Sequence, residues 1–129
     1  MLEPETLPAQ TVAPGDGSFA ISFRPPDGFV INALGPFTVT VTAADPAVVA
    51  SAGSGPAQIE ATGPTFPVSL PVQLSAGATS VEARGVVYYC REGNQGLCLA
   101  RDYAYAVPVT VAAGAASTTI EISRDLPAV

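Results

Sequence analysis

Thirteen prolines and twelve glycines are spread along this chain without a collagen-like period, a distribution that suits many short strands joined by tight turns better than long helices. Between these breakers the apolar residues alternate. Phe37, Val39 and Val41 interleave with Thr38, Thr40 and Thr42, the period-2 pattern of a half-buried strand whose β-branched threonines suit the exposed face. Apolar residues make up 48% of the 129 and charged residues 12%, which excludes the disordered class, where weak hydrophobicity and high charge prevent collapse. The length fits one domain with a real core.

Further strands follow from the same pattern. Phe19, Ile21 and Phe23 alternate with Ala20 and Ser22, and Pro25-Pro26-Asp27-Gly28 stops that strand with turn residues before Phe29-Val30-Ile31. Asp45-Pro46, then Ala47 to Ala50, then Gly53 has the order of an N-cap, a first-position proline and a glycine stop around one or two helical turns, or of an ordered loop. Residues 58–62 and 66–70 are short strand candidates. Prolines 64, 67 and 71 direct them to sheet edges, because proline cannot donate to the ladder. Residues 80–90 and 99–111 form a hairpin in which Gly85 marks a candidate bulge. In residues 117–123, Ile120 and Ile122 point inward. The expectation is an all-β fold, an immunoglobulin-like β-sandwich of about seven strands. Residues 1–16 read as a Pro-rich extended lead or linker, 17–125 as the single sandwich domain and 126–129 as a C-terminal tail.

The net charge is -6, with five scattered arginines and no lysine, so nucleic acid is not an expected partner. No run of about 18 apolar residues occurs, and no membrane insertion is expected. Glu3, Pro4, Glu5 and Pro8 stand where a signal peptide needs basic and then apolar residues, so the opening reads as the start of an excised domain. There is no histidine, which removes the usual Ser-His and Cys-His nucleophile pairs, and two cysteines cannot complete a common zinc shell. Gly53-Ser54-Gly55-Pro56 lacks the Lys-Ser/Thr of a phosphate loop and reads as a plain loop. No metal and no cofactor is expected, nor a self-sufficient enzyme.

One constellation carries chemistry. Cys90 and Cys98 flank the hairpin connection and could face each other, if the register places both side chains on one face. A ring of about nine residues would contribute roughly 2.5 kcal/mol on the chain-entropy model. Three readings stay open: a structural disulfide, two unpaired thiols, and a reversible redox pair that exchanges electrons with a partner. Arg91 and Arg101 would lower a thiolate pKa, and Glu92 and Asp102 would oppose them. Tyr88, Tyr89, Tyr103 and Tyr105 lie on either side of the loop, as ordinary cross-strand aromatics or as a candidate shield or docking patch.

Leu70-Pro71-Val72, Ala76-Gly77-Ala78-Thr79, Tyr89-Cys90, Gly96-Leu97-Cys98 and Val107-Pro108 occur in an order and approximate spacing that resembles the N-terminal periplasmic domain of the thiol:disulfide interchange protein DsbD. Asp27-Gly28-Phe29 resembles that family's Asp-Gly-aromatic segment, so the likeness spans residues 27–109. It implies an immunoglobulin-like sandwich with Cys90 and Cys98 as a reducible disulfide, in a periplasmic setting. The chain departs from the family at Tyr88-Tyr89, which replaces a polar-Gly lead, at a longer loop, and at Leu99-Ala100-Arg101, which replaces an aromatic-Pro-Pro sequel. The Tyr-Tyr-Cys, loop, Cys arrangement is also similar to the β-rich C-terminal domain of thioredoxin/NHL-repeat proteins. That likeness implies a cytoplasmic accessory domain whose partners are neighbouring domains of a longer chain or a thioredoxin-like protein.

Overall fold

The computed structural model describes residues 2–32, 35–51, 57–93 and 98–127. Among them lie eleven strands: β1 (Glu5–Thr6), β2 (Gln10–Val12), β3 (Gly15–Arg24), β4 (Phe29–Ile31), β5 (Pro36–Ala43), β6 (Val49–Ser51), β7 (Ala57–Thr62), β8 (Val68–Leu74), β9 (Gly77–Arg91), β10 (Cys98–Val111) and β11 (Thr119–Asp125). The fold is all-β. One sheet has the order β1-β10-β9-β5-β7, with β2 also on β10 and β4 also on β9; the other has the order β11-β3-β8-β6. No helix of the described residues is long and apolar enough to cross a membrane.

Alternation determines what each strand buries. Phe19, Ile21 and Phe23 of β3, Leu70, Val72 and Leu74 of β8, and Ile120 and Ile122 of β11 face Phe37, Val39 and Val41 of β5 and the inward valines and tyrosines of β9 and β10. The opposite residues of the same strands, Thr42, Ser69, Gln73 and Glu121 among them, are exposed. No buried side-chain nitrogen or oxygen of the described residues lacks a hydrogen-bond partner, so this core carries no desolvation penalty from orphaned polar groups.

The seven strands of six or more residues correspond to the seven strand candidates of the sequence; the remaining four have two or three residues each. Two of these lie in the segment expected to be a lead. There β1 and β2 pair parallel with β10, and Leu7 and Val12 are buried, so the boundary at residue 16 does not separate a lead from a domain. Prolines 4, 8 and 14 cut this stretch into pieces too short to show a period. The stretch also joins the two sheets. The Gln10 side chain donates to the Glu121 carbonyl (2.6 Å) and accepts from its N–H (3.0 Å), standing in for a strand at the edge of β11. Close by, Glu5 pairs with Arg124 at 2.6 Å.

At the other terminus, Leu126 is buried and its N–H donates to the Arg24 carbonyl at 2.8 Å, so the expected tail begins inside the core. The segment after Asp45 makes a single turn rather than a helix. The Asp45 carboxylate accepts the Ala47 N–H at 2.9 Å as a cap would, but buried Val48 and Val49 then draw the chain into β6. The glycine stop at 53, the plain-loop reading of 53–56 and residues 94–97 of the hairpin connection lie outside the described residues. As expected, β7 is an edge strand, whereas β8 lies between β3 and β6. Pro71 is accommodated because the β6 pairing reaches only to Val72.

Gly85 is not a bulge. The β9–β10 register runs without offset from Cys90↔Cys98 to Gly77↔Val111, with Gly85 opposite Tyr103. Its role is spatial: a Cβ there would overlap the Thr38 carbonyl oxygen of β5 and stand 2.7 Å from the Tyr103 hydroxyl. The tyrosine ring lies over its glycine partner and donates to that same carbonyl at 2.7 Å, which ties β10 to β5 across β9.

Candidate functional site

The site follows from strand parity. In the long hairpin, Tyr89 and Leu99 pair on the inner face, and one step further Cys90 and Cys98 pair on the outer face. Directly opposed, with Cα atoms 4.0 Å apart, the two cysteines form a disulfide. This decides one of the three readings: the cysteines are not unpaired thiols.

The two sulfurs are not equivalent. Cys98 is exposed, because no strand of the described residues flanks β10 there; β1 first meets β10 at Tyr105. Cys90 is half-buried, because β4 lies on its other side with Val30 opposite it. Val30 is 43% exposed, so an aliphatic side chain open to solvent stands in the row Val30, Cys90, Cys98 across three strands. The next row on this face holds half-buried Tyr88 opposite exposed Ala100.

Strand parity and register separate three of the four expected charges from the sulfurs. Arg91 and Arg101 have the opposite strand parity from Cys90 and Cys98, and Arg91 stacks on the Phe29 ring at 5.5 Å. Asp102 shares the parity of Cys98 but pairs with Val86, four residues along β9 from Cys90. Arg91, Arg101 and Asp102 are thus set apart from the cysteines by parity and register, whereas Glu92, two residues on from Cys90, is exposed at the same strand end.

The tyrosines divide. Tyr89, Tyr103 and Tyr105 are at most 9% exposed and belong to the inter-sheet core, so a shield or docking patch made of all four does not form. The reason is the shared parity of these three positions, opposite to that of the cysteines. Tyr103 sits against Phe23 at 4.8 Å and stacks on Tyr105 at 5.6 Å; burial pushes its phenol pKa well above the ordinary value of 10.0. The Tyr89 hydroxyl donates to the Pro127 carbonyl at 2.9 Å, and its ring meets Phe29 edge-on at 5.7 Å. Only Tyr88 shares the disulfide's face. Val30 is the site residue that sequence reasoning missed; its one signal was an aliphatic side chain in a short segment after an Asp-Gly turn.

Among the described residues, no group of three or more cysteine, aspartate or glutamate side chains could hold a metal ion. No protein-family model matches this sequence, and no curated protein matches it.

Proposed function

We propose that this chain is an accessory, immunoglobulin-like β-sandwich module whose Cys90–Cys98 disulfide exchanges with the dithiol of a thioredoxin-like protein or a neighbouring domain. The observation that carries this reading is the placement of the disulfide on the outer face at the end of a hairpin, with Cys98 open to solvent. A thiolate must reach a sulfur to exchange with it, and a disulfide buried between the sheets would be inert. A reducible Cys90–Cys98 disulfide is also what the resemblance to the DsbD domain implies.

The exchange balances as follows. A partner thiolate attacks the Cys98 Sγ, the S–S bond breaks, and Cys90 leaves as a thiolate that takes a proton from water. The partner's second thiolate then opens the mixed disulfide, which leaves this chain as a dithiol and the partner as a disulfide.

The rival reading makes the bond a staple worth roughly 2.5 kcal/mol. Incubation with a reduced thioredoxin-like protein separates the two. The wild-type chain is expected to become reduced while the partner is oxidised, and Cys98→Ala to show no exchange. A wild-type chain that stays oxidised, beside a Cys98→Ala variant that only melts at lower temperature, rejects the proposal.

A further inference from the structure

We infer that the Cys90–Cys98 bond also controls the order of β4: its reduction releases residues 28–32 from the sheet while the rest of the sandwich stays folded. Among the described residues β4 has a single strand neighbour, and its register partners there are Arg91, Cys90 and Tyr89. Two more backbone bonds extend the attachment: the Asn32 N–H donates to the Tyr88 carbonyl at 3.0 Å, and the Glu92 N–H donates to the Gly28 carbonyl at 2.8 Å. All of these partners lie between residues 88 and 92, at the end of β9 that the disulfide closes.

Apart from Tyr89, whose buried ring and whose hydroxyl bond to the Pro127 carbonyl (2.9 Å) tie it to the core, that end has few strand neighbours among the described residues. On the far side of β9 lie residues 98–100 of β10, whose own outer edge meets no strand of the described residues before Tyr105. A three-residue strand has too few bonds to stand without its neighbour in place. Val30 is 43% exposed and adds little burial, and Phe29 and Ile31 are only partly buried. Phe29 rests on Tyr89 and under Arg91, both residues of the same strand end. By contrast β3 and β8 lie in the other sheet and share no strand pairing with the hairpin end. A dithiol supplies two electrons and two protons, converts the bond to two thiols and becomes a disulfide itself; the cross-link that fixes the register at Cys90 is then gone. Fraying then begins at this end and carries β4 with it.

The test is amide hydrogen exchange on the full chain, oxidised against reduced with dithiothreitol, together with a Cys90→Ser/Cys98→Ser variant. In the reduced chain and the variant, the amides of Phe29 to Asn32 and Tyr88 to Glu92 are expected to lose protection, by up to about 70-fold, the ceiling set by the loop-closure entropy of so short a ring. Amides of β3 and β8 are expected to keep theirs. Unchanged protection at Phe29 to Asn32 overturns the inference, and so does an equal loss in β3 and β8, which would make the bond a staple of the whole fold. The result is independent of the proposed exchange, since dithiothreitol replaces any protein partner: a chain that no thioredoxin-like protein reduces would still report on β4.

Discussion

Replacing Gly85 with alanine tests the contact that ties three strands of the larger sheet together. The backbone there is ordinary strand, outside the left-handed region, so an added methyl meets no conformational barrier and only space is at issue. That space is taken: the methyl overlaps the Thr38 carbonyl oxygen and stands 2.7 Å from the Tyr103 hydroxyl, and the Thr38 carbonyl carbon is 2.6 Å away. Either β5 moves off β9, or the Tyr103 ring swings out and leaves a buried hydroxyl and carbonyl unpaired. Overpacking costs about 1–3 kcal/mol and an unmade buried hydrogen bond about as much, while alanine recovers about 0.4–1 kcal/mol from the unfolded chain. Only one of the two costs falls in either case, so the net loss centres on about 1.3 kcal/mol and reaches about 2.6 kcal/mol at most. At an unfolding entropy of about 2.1 cal/mol/K per residue, that lowers the melting temperature by about 5 °C, and by about 10 °C at most. Thermal unfolding followed by circular dichroism measures it, and a drop smaller than about 2 °C would refute the reasoning. Tyr103→Phe keeps the ring and removes the hydroxyl, for about 1 kcal/mol. The double variant is expected to lose less than the sum of the single ones, because one of the methyl's two obstacles is then absent.

Other perturbations address the core and its pH response. Phe23→Ala removes the ring that meets Phe37, Phe66, Tyr103 and Tyr105 within 6.3 Å, and should cost about 3–5 kcal/mol, seen as a lower urea midpoint at unchanged slope. Burial raises the Tyr103 pKa above its unfolded value of 10.0, so the folded state holds a proton that the unfolded state releases in alkali. Stability is then complete below about pH 10 and declines as pH rises beyond it; alkaline melts should show that decline, and Tyr103→Phe should flatten it. Gln10→Ala exposes the edge of β11 and should lower stability by about 1 kcal/mol in the same thermal assay, with the two sheets otherwise intact.

Much of this fold is legible in the chain because alternation makes long strands declare themselves. Phe19, Ile21 and Phe23, the Phe37 to Val41 set, and Ile120 with Ile122 all point where period 2 sends them. The short strands are silent for the same reason: two or three residues, as in β1 and β6, hold no period, and β-branched valines after Asp45 outweigh a cap signal that would otherwise start a helix. Gly85 is visible as an anomaly, but its meaning depends on a carbonyl 47 positions away in sequence, on Thr38. At the site, the cysteines are legible as a pair, whereas register decides that they meet. The same parity that turns Cys90 outward sends Tyr89, Tyr103 and Tyr105 into the core, and nothing local to those tyrosines distinguishes them from Tyr88.

The central claim, that an outward disulfide at the hairpin end exchanges with a partner, rests most directly on the reduction potential of the Cys90–Cys98 pair, read by mass-spectrometric thiol trapping across glutathione and dithiothreitol buffers. The account predicts a value among the thioredoxin and glutathione couples, roughly -180 to -270 mV. A value below about -300 mV would contradict it and make the bond a structural staple.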